Sequence, residues 1–499
     1  MRNHRLTFAL CAATLSTSAF AQAAGANTIR MVDWWSPKTG WEMASDDAFV
    51  GSRSGCYESL ARIGFDNTLQ PSLATSWTQT SPTTWEFTLR DNVKFQDGLP
   101  LNAESAANAL NNLLKAAMPA RAFSPKVIKS VEAVGDKVVK ITTLEPSVLL
   151  PLQMASPATS ILSPSAYKDG KINPINACTG PFVITDVDPT RATVKRNDNY
   201  WGGKPTLDGA EIRFISDANT RATQIRTGET DIARLIPPWI VSKLKTTPGV
   251  KLEAVNAPRT TMLLMNNKKA PFDNIKVRQA VQAAIDNASL AAAVYEGAVQ
   301  PAVGPFVSTD PWAPKDLKPA FDVKKAKALL EEAGVKPGTL KVNLLAYSNK
   351  TELKDVAAVI QEMLKNIGIQ VDIKVAEYNA IEPDMMSGNY DMGLMSRGYL
   401  TDAAEPASYL NADYKCKGAF NISQYCTPEM DAKLEAIYAT PEPEKRLPMY
   451  ADIAKKVQSE ALTVFLIHET SYDAYSTKVK NFKSHPLNYY VLTPSLSLN

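Results

Sequence analysis

Histidine is nearly missing from this chain: three in 499 residues, with only His468 and His485 beyond the first segment. A zinc hydrolase of the H-E-x-x-H type, or any site built from clustered imidazoles, has no material here. An excess of either charge is missing too. Lysine and arginine total 54 against 51 aspartates and glutamates, with no basic tail or stripe. That balance argues against nucleic acid as the main partner. No G-x-S-x-G elbow occurs, because Gly51–Gly55 carries Arg53 at the nucleophile position, and no P-loop or dinucleotide fingerprint is present. After the first residues there is no apolar run long enough to span a bilayer.

What is there begins with an export signal. Arg2 and Arg5 precede the apolar run Leu6–Leu15, and Ala21-Gln22-Ala23 supplies small residues for cleavage after Ala23. Residues 1–23 are therefore expected to be a signal peptide, with the mature chain in the periplasm. Cys11 follows Leu10, which does not fit a lipid-attachment pattern. The mature chain keeps Cys56, Cys178, Cys416 and Cys426, and export makes disulfides possible. Four cysteines allow three connectivities. The short loop between Cys416 and Cys426 favours that pair, leaving Cys56 with Cys178. Zinc is the rival reading, but the spacing is not C-x-x-C.

A chain of 499 residues divides into at least two domains. In Ser76–Ser105, Trp85, Phe87 and Leu89 alternate as a strand, a second short strand follows around Val93 and Phe95, and Asn102 is placed to cap a helix. Lys129–Pro146 reads as a hairpin about Gly135-Asp136, and Ala210–Asp217 as a strand leading into a helix. From about Arg259 the texture changes. An apolar strand is followed by a long helical pattern over Asn274–Val294 and by a helix capped by Asp322 and stopped at Gly334. Another helix runs between Thr351 and Gly368, before the alternating strand Ile369–Val375. The fold class is α/β, in two lobes with a cleft between them, where ligands commonly bind.

Fragments of a serine acyl-transfer site are present: S-x-x-K at Ser165–Lys168, Y-x-N at Tyr347–Asn349 and K-T-G at Lys38–Gly40. Their order is wrong for that chemistry, since K-T-G comes first, and Ser165 stands in a proline- and glycine-flanked stretch. No catalytic residue, cofactor or metal site is assigned. A non-enzymatic chain is expected.

The stretch Leu73–Glu104 resembles the signature region of the peptide/nickel family (family 5) of extracellular solute-binding proteins, which serve ABC importers. Its W-x-F-x-L-R-x-x-V-K-F-x-D-G layout is specific to them. "CTGPFVITD" (Cys178–Asp186) resembles the family's G-T-G-P-F turn, with Cys178 in place of the first glycine. Val194–Ala233, "PFDNIKVRQAVQAAID" and "FDVKKAKALLEEAG" are similar as well. The resemblance covers nearly the whole mature chain. It implies a two-lobed periplasmic binding protein (type II), with lobe 1 over residues 24–258 and a β-rich subdomain over about 66–195. Lobe 2 would span 259–473, and 474–499 would return to lobe 1, with crossings near Arg259 and Tyr472–Tyr475. It also implies hinged closure on a solute and delivery to a membrane permease. A monomer is expected.

Loops at strand ends are usual binding positions in α/β lobes, which points to Tyr390–Leu410 with Arg397, Tyr399, Asp402 and Glu405. In dipeptide-binding relatives an acidic residue before proline holds the ligand's amino group, and Glu405 matches it. In nickel-binding relatives an arginine followed by aromatics resembles Arg397 and Tyr399. An arginine suits a carboxylate through two parallel hydrogen bonds, so this pair would select a zwitterion. Trp34, Trp35 and Trp41, with Arg121 and Phe123, form a second candidate cluster for lining the cleft. The proline-arginine-proline segment of metal-chelate binders is missing from Met154–Pro164. The expected ligand is a short peptide or an opine-like conjugate, with a nickel or other metal chelate as the alternative.

Overall fold

Alternating buried side chains build the first strand, Thr28–Asp33 (β1), in which Ile29, Met31 and Val32 are buried. The computed structural model describes residues 27–499 apart from 38, 39, 44, 46, 117–119, 121, 122, 169, 349, 351, 401 and 402. The signal peptide, Arg121, Asp402, the capping Thr351, Asn349 and most of the K-T-G triplet therefore lie outside the described residues. Ala74–Ser81 (β2) and Thr84–Leu89 (β3) pair as a hairpin. Phe87 and Leu89 are buried, and the Trp85 indole donates to the Ser147 carbonyl at 2.8 Å. The strand expected around Val93 and Phe95 is reduced to one bridge, Lys94 to Pro100. The Asp97-Gly98 turn folds the chain straight back, with Phe95 N–H donating to the Leu99 carbonyl. Asn102 caps Ala103–Leu114 (α1) in a reciprocal box with Ser105. Ile128–Val134 (β4) and Val138–Thr143 (β5) complete a separate antiparallel sheet in the order β2-β3-β5-β4.

Phe182–Val187 (β6), Arg191–Arg196 (β7), Gly209–Phe214 (β8) and Ile232–Ala233 (β9) join β1 in the main sheet. Val250–Met265 (β10) leads into the second lobe. The single helix expected over Asn274–Val294 is two, Ile275–Ala284 (α2) and Asn287–Tyr295 (α3). Ile285 is extended and the Asp286 carboxylate accepts from the N–H groups of Ala288 and Ser289, so capping wins over continuation. Leu340–Tyr347 (β11), Glu352–Lys365 (α4), Ile369–Ala376 (β12), Met392–Gly398 (β13), Ala407–Tyr414 (α5), Pro443–Ser459 (α6) and Thr463–Ser476 (β14) follow. Asp322 caps the helix Val323–Glu332 as expected.

The main sheet runs β6-β7-β8-β1-β9-β14-β10-β13-β11-β12, with Gln300–Pro301 also paired to β14. β10 and β14 belong to both halves. Val250–Asn256 pairs with Ser476–Thr470, and Thr260–Leu264 pairs with His468–Thr463. Between these ladders Ala257, Pro258 and Arg259 face Glu469 alone, a bulge at the first expected crossing. Pro258 has no N–H to add to a ladder, which suits it to that position. Each half has its own core, and the halves touch. Val148 and Leu149 pack into the second core, and Ala404 packs with Ala61, Ile63, Ala155 and Tyr489.

Both expected disulfides are formed, Cys56–Cys178 and Cys416–Cys426. Gly180 of the "CTGPF" turn lies so close to the carbonyls of Gly55 and Cys56 that a Cβ there would collide with them. The first bridge and the turn thus clamp the same strand junction. Each bridge is expected to contribute about 2–5 kcal/mol by restricting the unfolded chain. Non-reducing peptide mapping should recover both pairs, and dithiothreitol should lower the melting temperature. An unchanged melt after full reduction would show that neither bridge supports the fold.

Candidate functional site

The strand registers decide where a ligand can be met. β1 and β9 are parallel, and Ile232 and Ala233 face Tyr475 and Ala474, so β9 runs toward the bulge. In the second lobe β11, β12 and β13 are parallel, and Gly398 at the end of β13 faces Arg259. The carboxyl ends of strands from both halves therefore converge on the bulge. This is the usual binding position in open α/β sheets.

On the first-lobe side, Asp33 ends β1 between Arg53 at 3.0 Å and Arg234 at 3.1 Å. Burial opposes its charge, but Arg234 and then Arg53 more than offset that and hold the carboxyl below its usual range. Arg234 also donates to Asn488 at 2.7 Å and faces Asp473 at 3.7 Å. This cluster is internally paired and fixes the ends of β1 and β9. Beyond it Trp34 is 41% exposed, edge-on to the half-buried Trp35 with ring centroids 4.9 Å apart.

The second-lobe side is built around Glu469. Its Oε1 accepts from Ser396 Oγ at 2.6 Å and Thr261 Oγ1 at 3.1 Å, and faces Lys350 Nζ at 2.8 Å. Burial pushes the carboxyl up, but Lys350, then Arg259, and the hydrogen bonds hold it below the usual range. Lys350 is correspondingly raised, with burial outweighed by Glu469 and Glu352. Arg259 is exposed, and its Nη1 donates to the Ser396 carbonyl at 3.0 Å and to Ser396 Oγ at 3.2 Å. Tyr347, at the end of β11, accepts from Ser396 N–H at 3.2 Å and stacks edge-on with Tyr378.

The residues expected from sequence are distributed differently. Arg397 lies at the end of β13, paired with Asp413 at 2.6 Å and set over the Phe420 ring at 4.0 Å. Tyr399 is buried and donates to Asp310 at 2.6 Å. Glu405 is also buried. Arg446 reaches both its oxygens, at 2.7 and 2.8 Å, and Tyr450 donates at 2.7 Å. The expected free carboxylate is thus part of an internal ion pair between the loop and α6. Trp41 is buried with its backbone at φ 68° and packs on Tyr57. Phe123 is fully buried in the first core. Arg259, Ser396, Lys350 and Glu469 were not singled out by sequence as a site. They come from four separate segments, and only the change of texture near Arg259 pointed to any of them.

The acyl-transfer fragments do not meet: Ser165 is on an exposed turn donating to Asp97, whereas Tyr347 ends a strand of the other lobe. His468 is buried against Thr260 Oγ1 at 3.0 Å, and burial pushes its pKa down to about 4, so it is a neutral structural ring. Among the described residues no helix is long and apolar enough to cross a membrane, and no three acidic, histidine or cysteine side chains converge as metal ligands.

The family model of the bacterial extracellular solute-binding proteins, family 5 Middle, matches residues 68–421. The chain belongs to that family. Nickel-binding protein NikA of Staphylococcus aureus is 27% identical over 450 residues, 89% of each chain. The probable D,D-dipeptide-binding periplasmic protein DdpA of Escherichia coli is 28% identical over 83% of this chain and 82% of its own. The crystal structure of a nickel ABC transporter protein from Bacillus halodurans superposes with a TM-score of 0.83 at 27% identity, covering 95% of this chain and all of that one. As a family 5 protein this chain is an extracellular solute-binding component of an ABC importer, with the two-lobed α/β fold, and not an enzyme. Family members take up a small solute and hand it to the permease.

Two consequences for the loop after β13 follow. Glu405→Gln should destabilise the ligand-free protein by about 3 kcal/mol, because it leaves Arg446 buried beside a neutral partner. Thermal unfolding followed by circular dichroism reads this, and an unchanged melt would return Glu405 to the pool of ligand-binding groups. Asp310 is buried, and burial lifts its pKa from 3.8 to about 6 despite the Tyr399 hydrogen bond and nearby Lys315. Its folded value lies above its unfolded one, so its contribution is full below pH 4 and is lost as pH rises through about 6. A shift of this size corresponds to about 3 kcal/mol. Asp310→Asn should remove that part of the pH dependence in urea melts. Identical profiles for the two proteins would rule it out.

Proposed function

We propose that this chain, exported with cleavage after Ala23 and acting as a monomer, captures a small zwitterionic solute between its lobes. A short peptide or an opine-like amino-acid conjugate is the leading class. The observation that carries this is the pair of opposite charges, Arg259 and Glu469, held at the converging strand ends, with the exposed Trp34 following the end of β1 in the other lobe. A zwitterion satisfies both charges at once, and the indole faces suit its side chain or ammonium. Closure is a shift between open and closed populations, driven by the contacts the solute makes only when both lobes reach it. The bulge in β10 supports bending there, since three residues face one and the ladder is interrupted.

A metal chelate is the second reading, favoured by the nickel-binding relatives. Such a chelate would be held through its organic groups, by the same cation and rings. The two readings separate in one experiment. Protein refolded from guanidinium, free of co-purified solute, is melted with free peptides, with opines and with nickel–histidine complexes. A solute at a hundredfold excess over Kd stabilises the fold by about 2.7 kcal/mol. Peptides or opines should raise the midpoint and nickel–histidine should not. The reverse pattern would establish the chelate reading.

A further inference from the structure

We infer that Arg259 and Glu469, joined through Ser396, are the pair that receives the two ends of the solute: the Arg259 guanidinium takes the carboxylate and Glu469 Oε2 takes the ammonium. This rests on the zwitterion reading above and assigns its charge recognition to residues of the crossing strands.

The pairing of the other charges leads here. Arg397 is neutralised by Asp413 and Glu405 by Arg446. Asp33 is shared by Arg53 and Arg234. Arg259 differs. Its Nη1 is fixed by the Ser396 carbonyl and hydroxyl, but its Nε and Nη2 donate no hydrogen bond, and no carboxylate lies within ion-pair distance of it among the described residues. A guanidinium held by one nitrogen and exposed along its other edge is set up for bidentate capture of a carboxylate. Glu469 is ion-paired with Lys350 at 2.8 Å, but through one oxygen only. Its Oε1 carries all three contacts, from Ser396, Thr261 and Lys350, while Oε2 accepts no hydrogen bond among the described residues. Ser396 Oγ touches both partners, at 3.2 Å from Arg259 Nη1 and 2.6 Å from Glu469 Oε1, so the two charges are held in a fixed relation.

The position couples recognition to closure. Arg259 lies in the bulge of β10 and Glu469 faces it on β14, so both stand where the chain passes between lobes. Neutralising them acts at the hinge itself. A purely structural role for the pair, holding the end of β13, would affect stability without affecting which ligand ends are tolerated.

The test uses the solute-free full-length mature protein, nickel–histidine, and three equimolar mixtures: free dipeptides, the same dipeptides as C-terminal amides, and the same dipeptides N-acetylated. Thermal shift and calorimetry are read for wild type, Arg259→Gln, Arg259→Lys, Glu469→Gln and Arg397→Gln. Wild type should respond to free dipeptides and respond at least tenfold more weakly to either capped set. Arg259→Gln should lose affinity for free dipeptides about a hundredfold and no longer distinguish acid from amide, while Arg259→Lys keeps part of that discrimination. Glu469→Gln should stop distinguishing free from acetylated amines. Should Glu469→Gln fail to fold, the Arg259 variants alone decide. Retained acid-over-amide discrimination in Arg259→Gln, or its loss in Arg397→Gln instead, would overturn the assignment while leaving the zwitterion reading intact. No response of wild type to any free dipeptide, with a response to nickel–histidine, would overturn the reading itself.

Discussion

The antiparallel ladder between β10 and β14 is the constraint on which the rest depends. Among the described residues it is the ladder that runs from one half of the main sheet into the other, and it holds the lobes in one sheet order. Backbone groups in a buried ladder have to be paired, so the two strands cannot slide or separate without losing many hydrogen bonds together. Pairing is interrupted most widely at Ala257–Arg259 opposite Glu469, and a second, smaller register shift follows between Thr261 and Met262. Pro258 removes a donor that a continuous ladder would need. The ladder is thus weakest over Ala257–Met262, next to the regular pairing of Val250–Asn256.

That geometry also explains why charge collects at the bulge. A charged side chain in either core would require a partner, and the buried ones have them: Glu405 with Arg446, Asp33 with two arginines. At the crossing Arg259 is exposed, while the largely buried Glu469 is kept ionised by Lys350, Arg259 and hydrogen bonds to one of its oxygens. Lys350 and Ser396 then hold Glu469 ionised and oriented. The same contrast separates the tryptophans, with Trp41 in the first core and Trp34 standing in solvent at the end of β1.

Local chemistry was legible wherever a residue acts on its own neighbours. Asn102 and Asp322 cap the helices they were expected to cap, because the capping bond spans only three residues. The α/β class, the family and the cysteine pairs were legible as well, from periodicity, a dense motif and export with spacing. The misread elements were those where two local signals compete. Asp286 divides a helical pattern that periodicity alone would continue, and the turn at Asp97-Gly98 cuts short a strand that alternation alone would extend.

The site was less legible, for a different reason. Residue types and loop position pointed to Arg397 and Glu405, and both carry the charges expected of them. Whether a charge is available depends on what stands opposite, and Asp413, Arg446 and Tyr450 are brought there by helices that fold back from later in the chain. The converse holds at the crossing, where Arg259, Lys350, Ser396 and Glu469 come together from β10, the bend before α4, β13 and β14. The sequence by itself determined the lobes, the caps, the bridges and the kind of protein, since each follows from short-range chemistry or a dense motif. Only the tertiary structure decided which charges are left for a ligand, because pairing is a property of distance in space and not of separation along the chain.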